Sequence, residues 1–477
     1  MKSSKLIQLL KVLDPQEFKQ FNKYIQSPYF TNSENVLKLY NYIRPHYPAF
    51  ESDKLERVKA FDHLYPTKKF NRPRLRNLLL KITKILESYL IHLECEGNDF
   101  EKKKRLTHIY RKRNLNAFFQ QKTDELLQDL EQQPFRDATY YYDKYLLQSN
   151  VYFYTHSTAR VKEVINSALE NLDYFFAIER LKIGLEFKTR EKIYADKFNY
   201  FEKNRFDFYP TNPNDTYHLF KKVIELIEQE DEKIYFEIKS IFKEVVDQLQ
   251  QEDQQTILYC LLNFTFRHIA KKGIIFIREA FNLYQIGLSK KVFLTQYNAF
   301  PSLTFLNIVI TGSSLKEFDR TNNFIVEYSP LLKDGDSTYL RLYAVANLNF
   351  HKGAYKEAVA VINANKFSET IIETQAKILL LRAYLELSLI DTAYTSIFNS
   401  QLKNYEKYLS RIDELDATKI KGFVNFIRIL KKYNKVRLKS SITLKAINEL
   451  KELLNTLSPI NFKPWLQKKI DDMEIGK

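Results

Sequence analysis

Hydrophobic residues recur at intervals of three and four along most of this chain, which is the spacing of one face of an α-helix. The stretch from Arg74 to His92 shows the pattern clearly, with apolar side chains at positions 75, 78, 79, 82, 85, 86 and 89. Sustained alternation of apolar and polar residues between hairpin turns, which would indicate strands, does not occur in the sequence. The pattern predicts an all-α protein.

Signals for helix starts and stops support this prediction. In DPQEFKQFNKYI, Asp14 is a predicted N-cap, Pro15 stands at the first helical position and Glu17 at the capping-box position. Prolines at positions 28, 45, 48, 66 and 73 then predict short helices with firm stops over residues 1–73.

Polar breaks divide the chain into three predicted segments. EGND at 96–99 marks the first boundary, QQPFRD at 132–137 and KDGDS at 333–337 separate further helices, and the proline-dense YPTNPND at 209–215 predicts a hinge. We therefore expect a basic N-terminal helical domain at 1–97, a helical-hairpin array at 98–212 and helical repeats at 213–477.

One helical pair is repeated. YAVANLNFHKGAYKEAVAVI, at 343–362, forms a helix–turn–helix pattern, and its Ala358 has a counterpart at Ala393. A helical pair with a period near 34 residues resembles the tetratricopeptide repeat. The matching positions are Leu342, Val345, Ala346, Gly353, Tyr355, Ala358 and Ile362 in the first unit, and Leu380, Tyr384, Ala393 and Ile397 in the second.

Some positions depart from the family pattern. Asn349 replaces an aromatic residue, Asn365 a small residue and Thr370 the terminal proline, while Lys377 and Leu381 are off-pattern in the second unit. The resemblance covers residues 338–400. We therefore expect a degenerate α-solenoid of stacked helical hairpins, tetratricopeptide-like over 213–477, with a small N-terminal helical domain.

The N-terminal part carries two other resemblances. KYIQSPYFTNSENVLKLYNYI and FDHLYPTKKFNRPRLRNLLLKITKILESYL resemble the start of an uncharacterised family of large bacterial helical proteins, which implies no activity. LIQLLKVLDPQEFKQFNKYI is similar to the first helices of pyrin-type death-fold modules, and the proline-rich continuation departs from them.

The tetratricopeptide resemblance implies a groove lined by the first helix of each pair. Its inner positions are Tyr343, Asn347, Phe350 and His351 in the first unit and Ile378, Arg382, Leu385 and Glu386 in the second. Asn347 matches the asparagine with which the family often holds a peptide, whereas Tyr343 replaces the accompanying lysine. The first functional hypothesis is a non-enzymatic scaffold or adaptor for a protein or peptide.

Residues suited to catalysis or metal binding are sparse. There are 9 glycines in 477 residues and no G-x-G, which excludes a standard Rossmann fingerprint or P-loop. Cys95 and Cys260 are the only cysteines, and no H-x-x-x-H occurs. His92 and Cys95 could share a helix face as a dyad, but no orienting group or glycine-built oxyanion loop accompanies them, and a small buried cysteine with a histidine near a helix end is the better explanation. We expect no enzyme activity, cofactor or metal.

Positive charge is concentrated near the N-terminus. Residues 1–113 carry 24 lysines and arginines against 12 acidic residues, out of a net charge of +16 for the chain. The second hypothesis is nucleic-acid binding through phosphate contacts, with Phe70 and Tyr110 able to stack on bases. The alternative is a solvated surface. The residues are Lys68, Lys69, Arg72, Arg74, Arg76, Lys102, Lys103, Lys104, Arg105, Arg111, Lys112 and Arg113.

Membrane and export signals do not emerge. The apolar part of MKSSKLIQLLK is too short for a signal peptide, and ILLLRAYLELSLI is interrupted by Arg382 and Glu386. The predicted location is the cytoplasm.

Overall fold

The computed structural model describes residues 1–154, 162–194, 208, 216–295, 299–332, 337–365, 367, 370–412, 417–439 and 441–475. The predicted hinge at 209–215 and most of the KDGDS break lie outside these residues. Within the described ranges there are 22 α-helices and no strand, which confirms the all-α prediction.

Helices α1 to α9 are Lys5–Lys11, Pro15–Ile25, Glu34–Ile43, Arg57–Leu64, Arg72–Gly97, Asp99–Lys112, Asn116–Glu131, Ala138–Tyr154 and Lys162–Tyr194. Helices α10 to α16 are Thr216–Gln229, Glu232–Val245, Gln251–Lys272, Ile274–Ser289, Ser302–Ser314, Phe318–Tyr328 and Ser337–Lys352. Helices α17 to α22 are Tyr355–Asn363, Thr370–Ile390, Thr395–Leu409, Ala417–Arg437, Leu444–Thr456 and Lys463–Ile475.

The chain divides into two compact units. Unit 1 consists of Met1–Gln133 and Tyr142–Leu172, and unit 2 of Pro134–Tyr141 and Asp173–Lys477. Helices α8 and α9 contribute residues to both units.

Helix α5 is the centre of the N-terminal core in unit 1. It contacts each of the helices α1, α2, α3 and α4. Its predicted apolar face is buried at Leu75, Ile82 and Leu86, against residues such as Phe21 and Tyr40. The predicted capping box at the start of α2 is confirmed, since the Asp14 carboxylate accepts from the Glu17 backbone N–H and the Glu17 carboxylate accepts from the Asp14 N–H.

Helices in unit 2 pack in the order in which they occur along the chain. From α10 to α22, every helix contacts the next one, and several also contact the next but one. The predicted helix–turn–helix at 343–362 is confirmed as α16 and α17. Gly353, at φ +84°, forms the turn between them, a left-handed conformation that favours glycine. Fully buried Ala358 lies where the two helices contact.

None of the helices in the described residues combines the length and the apolar character needed to cross a membrane.

Candidate functional site

Helices α16 and α18 bring the predicted groove residues together in the interior of unit 2. Tyr343, Asn347 and Phe350 on α16 are buried, His351 is partly buried, and on α18 Arg382 and Glu386 are only 5% and 7% exposed. The remaining two inner positions of the second unit, Ile378 and Leu385, are buried as well. The predicted positions thus lie close together, beneath a cover supplied by the chain itself.

That cover is helix α22 and the residue that precedes it. Arg382 is surrounded by aromatic rings, with its Cζ 4.5 Å from the ring centroid of Phe350, 4.6 Å from that of Phe462 and 4.9 Å from that of Trp465. A guanidinium over an aromatic face is attracted by the ring quadrupole, most strongly away from water. The charge of Arg382 is therefore stabilised by rings from both α16 and the C-terminal segment.

Glu386 anchors the same helix through hydrogen bonds. Its Oε1 accepts from Trp465 Nε1 at 3.1 Å, and its Oε2 accepts from Lys469 Nζ at 2.6 Å. Trp465 and Lys469 are four residues apart, so α22 presents them on one face. We call this set the Arg382 cluster, which comprises Tyr343, Asn347, Phe350, His351, Arg382, Glu386, Phe462, Trp465 and Lys469.

Two polar atoms of the cluster are left without a hydrogen-bond partner among the described residues. They are Asn347 Oδ1 and Arg382 Nε, and both are inaccessible to solvent. A buried polar atom left unpaired costs about 1–3 kcal/mol. Helix α22 thus covers the site with aromatic contacts, a hydrogen bond and one ion pair but leaves an acceptor on α16 and a donor on α18 unused.

Burial also shifts the titration of the cluster. It lowers the pKa of Arg382 to about 10 and raises that of Tyr343 to about 12. Burial and then the nearby Arg382 lower the pKa of His351 to about 3. At neutral pH the only charges of the cluster are therefore those of Arg382, Glu386 and Lys469.

The neutral state of His351 predicts a pH dependence of stability. In the unfolded chain this imidazole binds a proton below about pH 6.5, whereas in the folded chain it stays neutral down to about pH 3. The unfolded state therefore binds more protons as the pH falls, and stability decreases. Between pH 7 and pH 5, we expect the free energy of unfolding to fall by about 1–2 kcal/mol less in the H351Q variant than in the unsubstituted chain.

Urea unfolding at the two pH values measures this difference. The single tryptophan of the chain, Trp465, lies in the cluster, so its fluorescence reports the unfolding of this region. Substituting the exposed His108 by glutamine is the control and should leave the pH dependence unchanged. If the free energy of unfolding depends on pH equally in the unsubstituted chain and in H351Q, the conclusion that His351 stays neutral in the folded chain is wrong.

Sequence reasoning missed the residues that complete the cluster. Phe462, Trp465 and Lys469 lie outside the 338–400 repeat resemblance, about 80 residues beyond Arg382 and Glu386. The available signal was the sole tryptophan of the chain, placed four residues before a lysine on an amphipathic helix. A large aromatic ring with one polar atom marks a position where both burial and a hydrogen bond are available.

Ion pairs within unit 1 compensate part of the positive charge of the predicted basic surface. Lys102 pairs with Glu96, and Lys104 with Glu101 and the buried Asp143. Lys103 lies between three carboxylates, with Nζ–O distances of 2.8, 2.9 and 3.2 Å. In the order of these distances, the carboxylates are those of Glu125, Asp129 and Asp99. Lys102, Lys103 and Lys104 thus have their charges compensated within the unit.

The other basic residues are more open. Arg111 donates to Asn150 Oδ1, whereas Arg105, Lys112 and Arg113 are exposed. At the start of α5, all five predicted cations are exposed, and the Arg74 guanidinium lies 4.2 Å from the ring centroid of Tyr65. The solvent-exposed positive charge of the predicted set is therefore concentrated at 68–76, with a smaller contribution from Arg105, Lys112 and Arg113. The five cations are Lys68, Lys69, Arg72, Arg74 and Arg76.

The catalytic dyad considered from the sequence has no supporting contact. The His92 ring lies 5.8 Å from the Tyr24 ring, and Cys95 is partly buried; no hydrogen bond joins His92 to Cys95 in this described stretch of α5. The described part of the chain also holds no group of three or more His, Cys, Asp or Glu side chains placed to bind a metal ion.

Comparison with protein-family models, with curated proteins and with solved structures finds no match to this chain.

Proposed function

We propose that this chain is a non-enzymatic scaffold that binds a helical segment of a protein partner on the faces of α16 and α18. The observation that carries the proposal is the docking of Trp465 and Lys469 on Arg382 and Glu386. An amphipathic helix laid on a helical surface, with anchor residues four apart, is a recurrent mode of peptide recognition. Here the chain's own C-terminal helix occupies the surface that the repeat resemblance assigns to a peptide.

Helix packing in unit 2 supports a solenoid as the scaffold. Besides the contacts between consecutive helices, α10 contacts α12, α14 contacts α16, α16 contacts α18, and α20 contacts α22. In a solenoid of helical hairpins, each first helix packs on the first helix of the next pair. The degenerate tetratricopeptide-like array is therefore our proposed architecture for unit 2.

The chemistry of the site specifies the partner. A competing helix needs an aromatic residue to stack on the Arg382 guanidinium and, four residues later, a cation to pair with Glu386. A partner that also offers a donor to Asn347 Oδ1 and an acceptor to Arg382 Nε satisfies the two atoms that α22 leaves unpaired. Such a partner binds the state in which α22 is displaced more tightly than the state in which α22 is docked. It can therefore shift the population of the chain toward the displaced state.

A peptide of the chain's own segment 459–475 tests the proposal. We expect this fluorescein-labelled peptide to bind the full-length W465A/K469A variant at least tenfold more tightly than it binds the unsubstituted chain. The reason is that the variant's own α22 lacks both anchors and competes less well, while the site on α16 and α18 is intact. Fluorescence anisotropy measures the affinity, and far-UV circular dichroism checks that the variant is folded.

The matched control is K468A/D472A, two alanines at exposed positions of the same helix. It should bind the peptide no better than the unsubstituted chain does. A peptide that carries alanine in place of Trp465 and Lys469 should not bind the W465A/K469A variant. If the intact peptide fails to bind this variant while the variant is folded, the site does not recognise helices and the proposal is wrong.

Nucleic-acid binding through the 68–113 region is the second candidate. It is favoured by five exposed cations beside Phe70, which is 39% exposed, at the start of α5. It ranks second because Lys102, Lys103 and Lys104 are engaged by carboxylates. Affinity purification with and without nuclease separates the candidates, since a partner held through nucleic acid is lost on digestion and one held by the Arg382 cluster is retained.

A further inference from the structure

Unit 1 contains a cavity that the proposed function does not use. It has a volume of about 190 Å³ and lies between α1, α4 and the first three turns of α5. Leu6, Leu75 and Leu79 form an apolar floor, and the guanidinium-bearing residues Arg57, Arg72 and Arg76 line the cavity with them. The cavity thus combines an apolar interior with three arginine guanidinium groups.

The three arginines have no carboxylate partner in the described part of unit 1. By contrast, Lys5, which also lines the cavity, pairs with Glu87 at 2.5 Å. Glu56, the residue before Arg57, pairs with Lys59 at 3.3 Å. The acidic residues nearby are therefore bound to lysines, and the arginine charges remain uncompensated.

Helix polarity adds to the positive potential. Arg72 is the first residue of α5, which has Asn71 as its N-cap and no acidic residue in its first turn, whereas α4, which begins at Arg57, has Glu56 as its N-cap. A helix N-terminus carries a partial positive charge, so a cation there is unfavourable for the free protein and an anion is favourable. Ser4 also belongs to the cavity lining, and its Oγ has no hydrogen-bond partner among the described residues. The arginine charges and the N-terminus of α5 favour an anionic group.

The geometry points to a binding site for an amphiphile with a phosphate monoester head and a short alkyl tail. Arginine presents a planar fork of N–H donors that matches phosphate oxygens, and a dianion compensates more of the arginine charge than a carboxylate does. The leucine floor removes the tail from water. Pockets for drug-sized ligands measure about 300–1,000 Å³, so the smaller volume here specifies a short tail.

Calorimetric titration of the full chain with octyl phosphate tests this inference. We expect octyl phosphate to bind at least tenfold more tightly than inorganic phosphate, which lacks the tail, and than octyl glucoside, which lacks the charge. Octanoate should bind more weakly than octyl phosphate because its head is a monoanion. If inorganic phosphate binds as tightly as octyl phosphate, the leucine floor has no part and the inference is wrong.

Two further arms distinguish the source of the ligand. Co-sedimentation with vesicles of phosphatidylcholine containing phosphatidic acid tests a membrane lipid, and octyl phosphate in solution tests a soluble phosphorylated compound. Binding to octyl phosphate without vesicle binding assigns the site to a soluble ligand, and binding to both assigns it to a lipid. A single-stranded RNA that displaces octyl phosphate would instead assign these arginines to the nucleic-acid surface and overturn the inference.

Variants locate the site. We expect R72Q/R76Q to weaken octyl phosphate binding at least tenfold, because both cations line the cavity one helical turn apart. The L80E variant places a carboxylate one turn after Arg76 on a side chain that is 45% exposed, and should weaken binding similarly without loss of a cation. The control R105Q/K112Q removes two exposed charges from α6 and should bind normally. If the control loses as much affinity as R72Q/R76Q, binding reflects net charge only.

Discussion

Substitution of Glu386 by alanine should lower the free energy of unfolding of this region by about 3–5 kcal/mol, because it leaves buried charges without a partner. In the folded chain Glu386 accepts hydrogen bonds from Trp465 and Lys469, and its side chain is 9% exposed. Without the carboxylate, the Lys469 ammonium and the Arg382 guanidinium are two buried cations with no anion in the cluster. Urea unfolding followed by the fluorescence of Trp465 measures the loss.

Two variants separate charge from geometry in this prediction. E386Q keeps an acceptor for Trp465 but removes the charge, so its loss should be smaller than that of E386A. E406A is the matched control, because Glu406 pairs with Lys431 on the surface, where the two side chains are 54% and 39% exposed. An exposed pair is worth about 0–1 kcal/mol. Comparable losses for E386A and E406A would show that burial of Glu386 has no energetic consequence.

Local signals in the sequence were sufficient for the helices. The cap at Asp14 and the turn at Gly353 depend on residues within a few positions of themselves, and the structure confirms both. The apolar face of α5 was predicted for the same reason, since every member of a helix face lies within one helix. Such features are determined by short-range geometry.

The environment of the candidate site depends on long-range contacts. The tetratricopeptide resemblance implies that Asn347 and Arg382 lie on facing helices, but nothing within either helix indicates that α22 covers them. That contact joins Glu386 to Lys469 across 83 residues of sequence. A single sequence contains no record of which apolar faces meet, so the groove positions could be located but their burial could not.

In the basic region, too, the sequence shows the cations but not which carboxylates pair with them. Lys103 and Lys104 belong to a dense run of cations in the sequence, which indicates a positive surface. Their partners Asp129 and Asp143 lie 26 and 39 residues further on. Helix α6 packs on α7, which brings Asp129 to Lys103, whereas Asp143 reaches Lys104 from α8. Net charge over a segment is therefore a poor guide to surface potential until the tertiary partners are known.

The aromatic residues that are so frequent in this chain have a structural role in unit 2, which the Phe264→Ala substitution would measure. Phe264 is fully buried in α12 and stacks on Tyr235 of α11, with ring centroids 4.8 Å apart and planes 13° apart. It also stacks on the ring of His268, with ring centroids 4.0 Å apart. Truncation of a core phenylalanine to alanine costs about 3–5 kcal/mol through lost transfer energy and the cavity left behind.

Phe236 provides the matched control for this prediction, because its ring also contacts Tyr235, at 5.0 Å, but is 46% exposed. F236A should cost less than about 1 kcal/mol, since the ring is already half in water and its removal opens no closed cavity. Urea unfolding of both variants, followed by Trp465 fluorescence and by far-UV circular dichroism, measures the difference within unit 2. Equal destabilisation of F264A and F236A would contradict the prediction. It would show that the contact with Tyr235, and not the burial of the ring, determines how much each phenylalanine stabilises the fold.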